Sequence, residues 1–187
     1  MTDAFGELVG RLGGLTDDEF FWEPVPGCWR VFCDEAGRWT YDYDEPDPVP
    51  SPFTTIGWRL VHVALCKVIY HEWAFGLRRV DFTNIENPRD AETAVEVLER
   101  GHHLLMEDIE GLGGEDLDRQ VSTNWGEQWP AWRIFTTMID HDRQHGAEIG
   151  VLRDLYRISG GRAFEAEGSG PRGLGQGDRA KGKREGS

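Results

Sequence analysis

The length, composition and charge of the chain exclude several classes of protein. Its 187 residues suit one domain with an adequate core, and it has no apolar run of the roughly 18 residues that a transmembrane helix needs. The formal net charge of −14 repels phosphate backbones and anionic lipids, so we expect neither nucleic acid nor a membrane as a partner.

Cysteine usage and the first residues favour the cytoplasm. The cysteines Cys28, Cys33 and Cys66 are odd in number and sparse, which argues against a disulfide framework. The first residues, MTDAFGELVGRLGG, lack the basic region followed by an apolar region that marks a secretory signal. We therefore expect a cytoplasmic protein.

The N-terminal segment predicts two helices. Residues 3–13 carry apolar side chains at helical spacing and are followed by Gly13-Gly14, a helix-ending signal. Thr16 and Glu19 form a capping-box pattern that should start a short second helix. Pro24 and Pro26 stop it.

An irregular excursion follows, over residues 27–53. Two aromatic and β-branched runs, residues 29–32 and 39–43, flank a turn signal at 33–38 and predict a small hairpin. The stretch EPDPVPSP at 45–52 holds four prolines and predicts an extended loop. Long loops in compact domains are often functional or cover a site.

Three long helices complete the predicted fold. They span about 55–78, 89–111 and 130–159, and a second loop at 115–128 precedes the last one. Together with the first helix they predict an all-α four-helix bundle over residues 1–160, with the irregular loop between its first and second main helices. Residues 161–187 are glycine-rich and aperiodic, and predict a disordered tail.

Three histidines occupy positions where these helices should be apolar. His141 and His145 share a face of the last helix with Ile134, Met138, Ile149 and Leu152. Their i,i+4 spacing places both imidazoles one turn apart on that face. His62 stands in the same kind of position on the helix at 55–78. Burying an imidazole without a partner costs roughly 1–3 kcal/mol, so each histidine needs one.

A shared metal ion is one such partner. Neighbouring helix axes lie about 8–10 Å apart, which lets imidazoles from both helices reach one ion through bonds of about 2.0–2.1 Å. Three protein ligands with an open position are typical of catalytic sites. The alternative is that each histidine is satisfied by a carbonyl or a carboxylate. We interpret His102, which has no partner histidine spaced with it, as a packing or hydrogen-bonding group.

Three stretches also resemble a known family. TTIGWRLVHVA (54–64) is similar to the second-helix motif of DinB-like proteins, in which a Trp precedes the metal histidine by four residues. HDRQHGAEIGVLRDLYR (141–157) resembles their fourth-helix motif, and FFWEPVPGCWRVF (20–32) with GRWTYDY (37–43) resembles the insertion of actinobacterial members. The resemblance covers about residues 5–158.

What the resemblance implies is specific. It implies an up-down-down-up bundle, a divalent metal, often zinc or nickel, bound by His62, His141 and His145, and use of that metal to activate a low-molecular-weight thiol such as mycothiol. Some related proteins have no established activity.

Further side chains have two interpretations each. Glu148 lies one turn after His145 and either orients a ligand or acts as a base, or it caps a neighbour or pairs with an arginine. Trp29, Trp58 and Trp125 either line the metal pocket or serve as plain core and cover. Asp140 and Asp142 are interpreted as solvated rather than as partners of the metal ligands. Gly146 and Gly150 permit another helix to approach closely, either within the chain or in a homodimer.

The resulting hypothesis is a metal-dependent enzyme acting on a small molecule. The metal would lower the pKa of a bound thiol for transfer or isomerisation. The alternatives are a metal-dependent hydrolase, a non-catalytic metal-stabilised small-molecule-binding or stress-related protein, and a bundle with buried structural histidines.

Overall fold

The computed structural model describes residues 1–46 and 48–164, and helices dominate this part of the chain. The predicted tail beyond residue 164 lies outside the described residues. The described helices are α1 (Thr2–Leu12), α2 (Asp17–Phe20), α3 (Ile56–Ala74), α4 (Ala91–Gly111) and α5 (Ala131–Ser159), with a 3₁₀ helix at Gly114–Asp118. The strands are β1 (Val31–Cys33), β2 (Trp39–Tyr41), β3 (Gln120–Ser122) and β4 (Gln128–Pro130).

The helical class is thus confirmed, and two small antiparallel sheets are a minor addition to it. The β1–β2 hairpin lies where the sequence predicts one, with Val31 opposite Tyr41. Its turn is held by Asp34, whose Oδ1 accepts hydrogen bonds from the backbone N–H groups of Ala36 and Arg38. The β3–β4 hairpin occupies the segment expected to be a plain loop, because Gly126 takes a φ of 90° that allows a tight turn.

Side-chain caps set the starts of the long helices. The Thr55 hydroxyl accepts from the Trp58 N–H at the start of α3, and Asp90 accepts from Thr93 at the start of α4. Helix α5 ends at Ser159, as predicted, and the next residue, Gly160, has the left-handed backbone conformation. Helix α3 ends at Ala74, four residues before its predicted end, and the chain then turns through Arg78, which has a φ of 58°.

Helix α3 contacts two of the other long helices. It packs against α4 and α5, while α1 packs against α5. A Cβ atom at Gly146 would lie 3.4 Å from Leu8, and one at Gly150 would lie 3.4 Å from Arg11. These two glycines therefore serve a close approach of α1 and α5 within one chain.

No helix among residues 1–46 and 48–164 combines the length and the apolar character needed to cross a membrane.

Candidate metal centre

Helices α3 and α5 bring the three core histidines together. The ring centre of His62 lies 5.5 Å from that of His141 and 5.3 Å from that of His145. The two rings on α5 are 5.7 Å apart. With metal–nitrogen bonds of about 2.0–2.1 Å, imidazoles arranged tetrahedrally around one ion have ring centres roughly 5 Å apart. The distances between the three ring centres are therefore close to those of three imidazoles on one ion.

Each histidine on α5 has a hydrogen-bond partner at Nδ1. His141 donates to the carbonyl oxygen of Thr137 over 2.9 Å, and His145 donates to Oε2 of Glu148 over 2.7 Å. The same carboxylate oxygen accepts from Arg59 of α3. A partner at Nδ1 fixes the tautomer and leaves Nε2 as the electron-pair donor, which is the usual arrangement of a metal-binding histidine.

His62 is held as a neutral ring. Its imidazole stacks on Trp58 with ring centres 5.1 Å apart and planes inclined by 7°. Burial, together with His145 and His141, lowers the pKa of His62 to about 3. Burial also lowers the pKa of His145. Both rings are therefore unprotonated at neutral pH, the state that a metal ligand requires.

Cys66 is a fourth potential donor, which the sequence did not single out. Its sulfur lies 3.8 Å from Nε2 and 4.0 Å from Nδ1 of His62. Among the described residues, one group of potential ligands has all its donor atoms within 4.8 Å of one another, and it consists of His62, Cys66 and His141. His145 is outside that group. The i,i+4 spacing of His62 and Cys66 is the signal that could have identified the cysteine.

A chamber of about 740 Å³ opens above His62, Cys66 and His141. Its walls come from the β2 strand and the loop after it, from α3, from the α3–α4 connection and from the β3–β4 turn. Beyond the three floor residues, the chamber is lined by Thr40, Tyr41, Tyr43, Glu45, Tyr70, Phe82, Thr83, Asn87, Asn124 and Trp125.

The three tryptophans predicted to line the pocket occupy different places. Trp125 lines the chamber and contacts Tyr70. Trp58 supports His62 by stacking, and its Nε1 donates to the carbonyl oxygen of Asp42 over 2.7 Å. Trp29 lies behind Trp58, with ring centres 5.7 Å apart, and is not a lining residue.

Most of the sequence matches a family model. The model of the DinB superfamily matches residues 2–149, a range that includes all three histidines. The chain belongs to the DinB superfamily. No curated protein matches it.

This DinB-family chain also buries an ion pair beside the candidate metal ligands. Lys67 of α3 and Asp142 of α5 are fully buried, and Nζ lies 2.8 Å from both carboxylate oxygens. The prediction that Asp142 is solvated is therefore wrong, whereas Asp140 is exposed as predicted. Burial lowers the pKa of Lys67 and raises the pKa of Asp142, so each charge depends on the other.

His102 has the packing role that the sequence predicted. Its ring stacks on Phe5 of α1, with centres 3.7 Å apart and planes inclined by 3°. It is 6% exposed, and burial lowers its pKa to about 4. The ring is therefore a neutral part of the interface between α1 and α4.

Proposed function

We propose that the protein is a metal-dependent enzyme that binds a low-molecular-weight thiol, such as mycothiol, for transfer or isomerisation. His62, His141 and His145 would hold the ion. The observation that carries this proposal is the convergence of three imidazoles from two helices beside the chamber described above. Imidazole ligands suit zinc and nickel among the common divalent ions.

The residues around the ion have distinct tasks. A bound divalent ion supplies positive charge that lowers the pKa of a thiol. Glu148 keeps His145 in one orientation through the hydrogen bond at Nδ1 and is itself fixed by Arg59. Thr137 does the same for His141 through its backbone carbonyl. The ligands are therefore preorganised, which lowers the cost of binding the ion.

The chamber walls favour a ligand rich in hydrogen-bonding groups. Tyr41 and Tyr70 present hydroxyl groups whose pKa is raised by burial, so they stay neutral donors at pH 7. The buried Oδ1 atoms of Asn87 and Asn124 accept no hydrogen bond from the described residues. No lysine or arginine is among the lining residues of the described chain. A thiol carrying hydroxyl or amide groups suits these walls better than one carrying phosphates.

Two further proposals concern the helix topology and the cellular location. Because α3 contacts α4 and α5 while α1 contacts α5, we propose that the four long helices form the up-down-down-up bundle implied by the family resemblance. We also propose that the protein acts in the cytoplasm, where thiols such as Cys33 stay reduced; all three cysteines are free.

Metal analysis tests the first step of this proposal. Protein purified without a nickel column should contain a divalent ion at a near-equimolar ratio, since a nickel column can load the wrong metal. His141→Ala should lose most of that ion, whereas His103→Ala should keep it because His103 is exposed on α4. Metal-free wild-type protein that takes up no zinc or nickel would refute the proposal.

Product analysis tests the chemistry. Mass spectrometry of metal-loaded protein incubated with mycothiol and a set of electrophiles should detect thiol adducts. Hydrolysis products without adducts would instead favour a metal-dependent hydrolase.

A non-catalytic metal-stabilised binding protein is the second candidate, and Cys66 favours it. Four protein donors in one place are typical of a closed structural site rather than an open catalytic one, and Cys66 lies close enough to the histidines to be such a donor. In that case His141→Ala would lower the melting temperature while leaving ligand binding in place.

A further inference from the structure

We infer that Cys66 supplies a thiolate sulfur to the ion, so that the site binds metal through sulfur as well as imidazole nitrogen. The inference rests on the metal site proposed above and adds a donor to it. Cys66 follows His62 by four residues on α3, so both side chains leave the helix on the same face, one turn apart.

The position of the sulfur matches what coordination requires. With a zinc–sulfur bond of about 2.3 Å and a zinc–nitrogen bond of about 2.0–2.1 Å, two tetrahedral ligand atoms lie about 3.6 Å apart. The observed separation of Sγ and Nε2 of His62 is 3.8 Å. His141 also offers a donor atom within 4.8 Å of Sγ of Cys66 and of a ring nitrogen of His62. One ion could therefore be reached by all three side chains with small rotamer adjustments.

Cys66 differs in its neighbours from Cys28, the other buried cysteine. Cys28 is buried to a similar degree, 5% exposed against 3% for Cys66, yet it does not belong to the group of potential ligands found among the described residues. Cys66 instead lines the chamber together with His62 of α3 and His141 of α5. Cys66 also packs in an apolar cluster with residues such as Leu105 and Val121. Beyond that packing, its sulfur adds the ability to bind a metal.

Sulfur coordination has two consequences for the site. A thiolate favours zinc over hard ions such as magnesium, calcium and manganese, and it releases its proton to solvent when the bond to the ion forms. With His145 as a fourth donor, the protein would fill a tetrahedral shell, and an incoming thiol would have to add a fifth ligand or replace Cys66. Cys66 would then decide whether the centre is open or closed.

Cobalt substitution tests the inference directly. Untagged, metal-free protein is titrated with Co²⁺ without oxygen and in a phosphine reductant. The wild type should bind one equivalent and develop the near-ultraviolet absorption of a thiolate-to-cobalt charge transfer. Cys66→Ser should lose that band and bind Co²⁺ at least tenfold more weakly. The matched control Cys33→Ser, at an exposed position, should keep the band and the affinity.

A measurement on the unmodified protein covers the case in which Cys66→Ser does not fold. X-ray absorption of the zinc-loaded wild type should show one sulfur neighbour at about 2.3 Å. Equimolar metal binding with a nitrogen-only shell and no charge-transfer band would overturn the role of Cys66 and leave the histidine site standing. A band that survives in Cys66→Ser would also overturn it. Wild-type protein that binds no Co²⁺ or zinc would overturn both proposals.

Discussion

The buried ion pair of Lys67 and Asp142 makes a prediction that the structure can quantify. Both side chains are fully buried, and Nζ lies 2.8 Å from each carboxylate oxygen. At that distance and an effective dielectric constant of about 20, the gross attraction is about 6 kcal/mol. Removing two ions from water costs several kcal/mol each. The net contribution of the intact pair is therefore small, whereas the loss of one partner leaves the other charge buried alone.

Lys67→Met should accordingly lower the free energy of unfolding by about 3–5 kcal/mol, and Asp142→Leu should do the same. The double variant should recover most of that loss, because it buries no charge. Urea unfolding of the wild type, both single variants and the double variant closes the cycle. Asp154→Asn removes an exposed pair with Arg157 on α5 and serves as the control, with an expected change below about 1 kcal/mol.

Two results would refute this reasoning. One is a loss below about 1 kcal/mol in Lys67→Met, which would mean that Asp142 adjusts at little cost. The other is a double variant that loses the sum of the single losses, which would mean that packing rather than charge dominates.

Three further predictions concern single side chains. Glu148→Gln should weaken zinc binding by about 10–100-fold in a chelator competition, because the His145 ring loses a charged partner; unchanged affinity would contradict this role. A hydrogen bond to a carboxylate on α4 raises the pKa of His71 above 6.5. His71→Gln should therefore lower the free energy of unfolding most at pH 5.5, and by progressively less as the pH rises through the folded-state pKa of His71. Urea unfolding at several pH values measures this loss, and a loss that grows as the pH rises would contradict the prediction. Gly101→Ala would place a Cβ 2.7 Å from the Cβ of Lys67 on α3 and should lower the free energy of unfolding by about 1–3 kcal/mol. Gly6→Ala on α1 would place a Cβ with nothing within 4 Å and should raise the free energy of unfolding by up to about 1 kcal/mol.

Local signals were enough for the helices, for one hairpin and for the pairing of two histidines. The i,i+4 spacing of His141 and His145 fixes their common face wherever the helix lies, because 3.6 residues complete each turn. Caps such as Thr55 and Gly160 act within a few residues of the helix ends that they set. The segment at 120–130 was missed as a hairpin because its strands are only three residues long and give little alternation.

The contents of the site were decided by how α3 and α5 pack. The sequence predicts that Asp142, beside His141, is solvated. In the structure α5 is rotated so that Asp142 contacts Lys67, which is 75 positions away in the chain. The same packing of α3 and α5 lets Glu148 accept a hydrogen bond from Arg59 and brings donor atoms of Cys66 and His141 within 4.8 Å of each other. Periodicity says which residues share a face of one helix, but the register and rotation between two helices depend on long-range packing. The sequence by itself therefore determined the histidine pair and the family. Only the tertiary structure showed the Cys66 sulfur near the histidines and the partners of the Asp142 and Glu148 carboxylates.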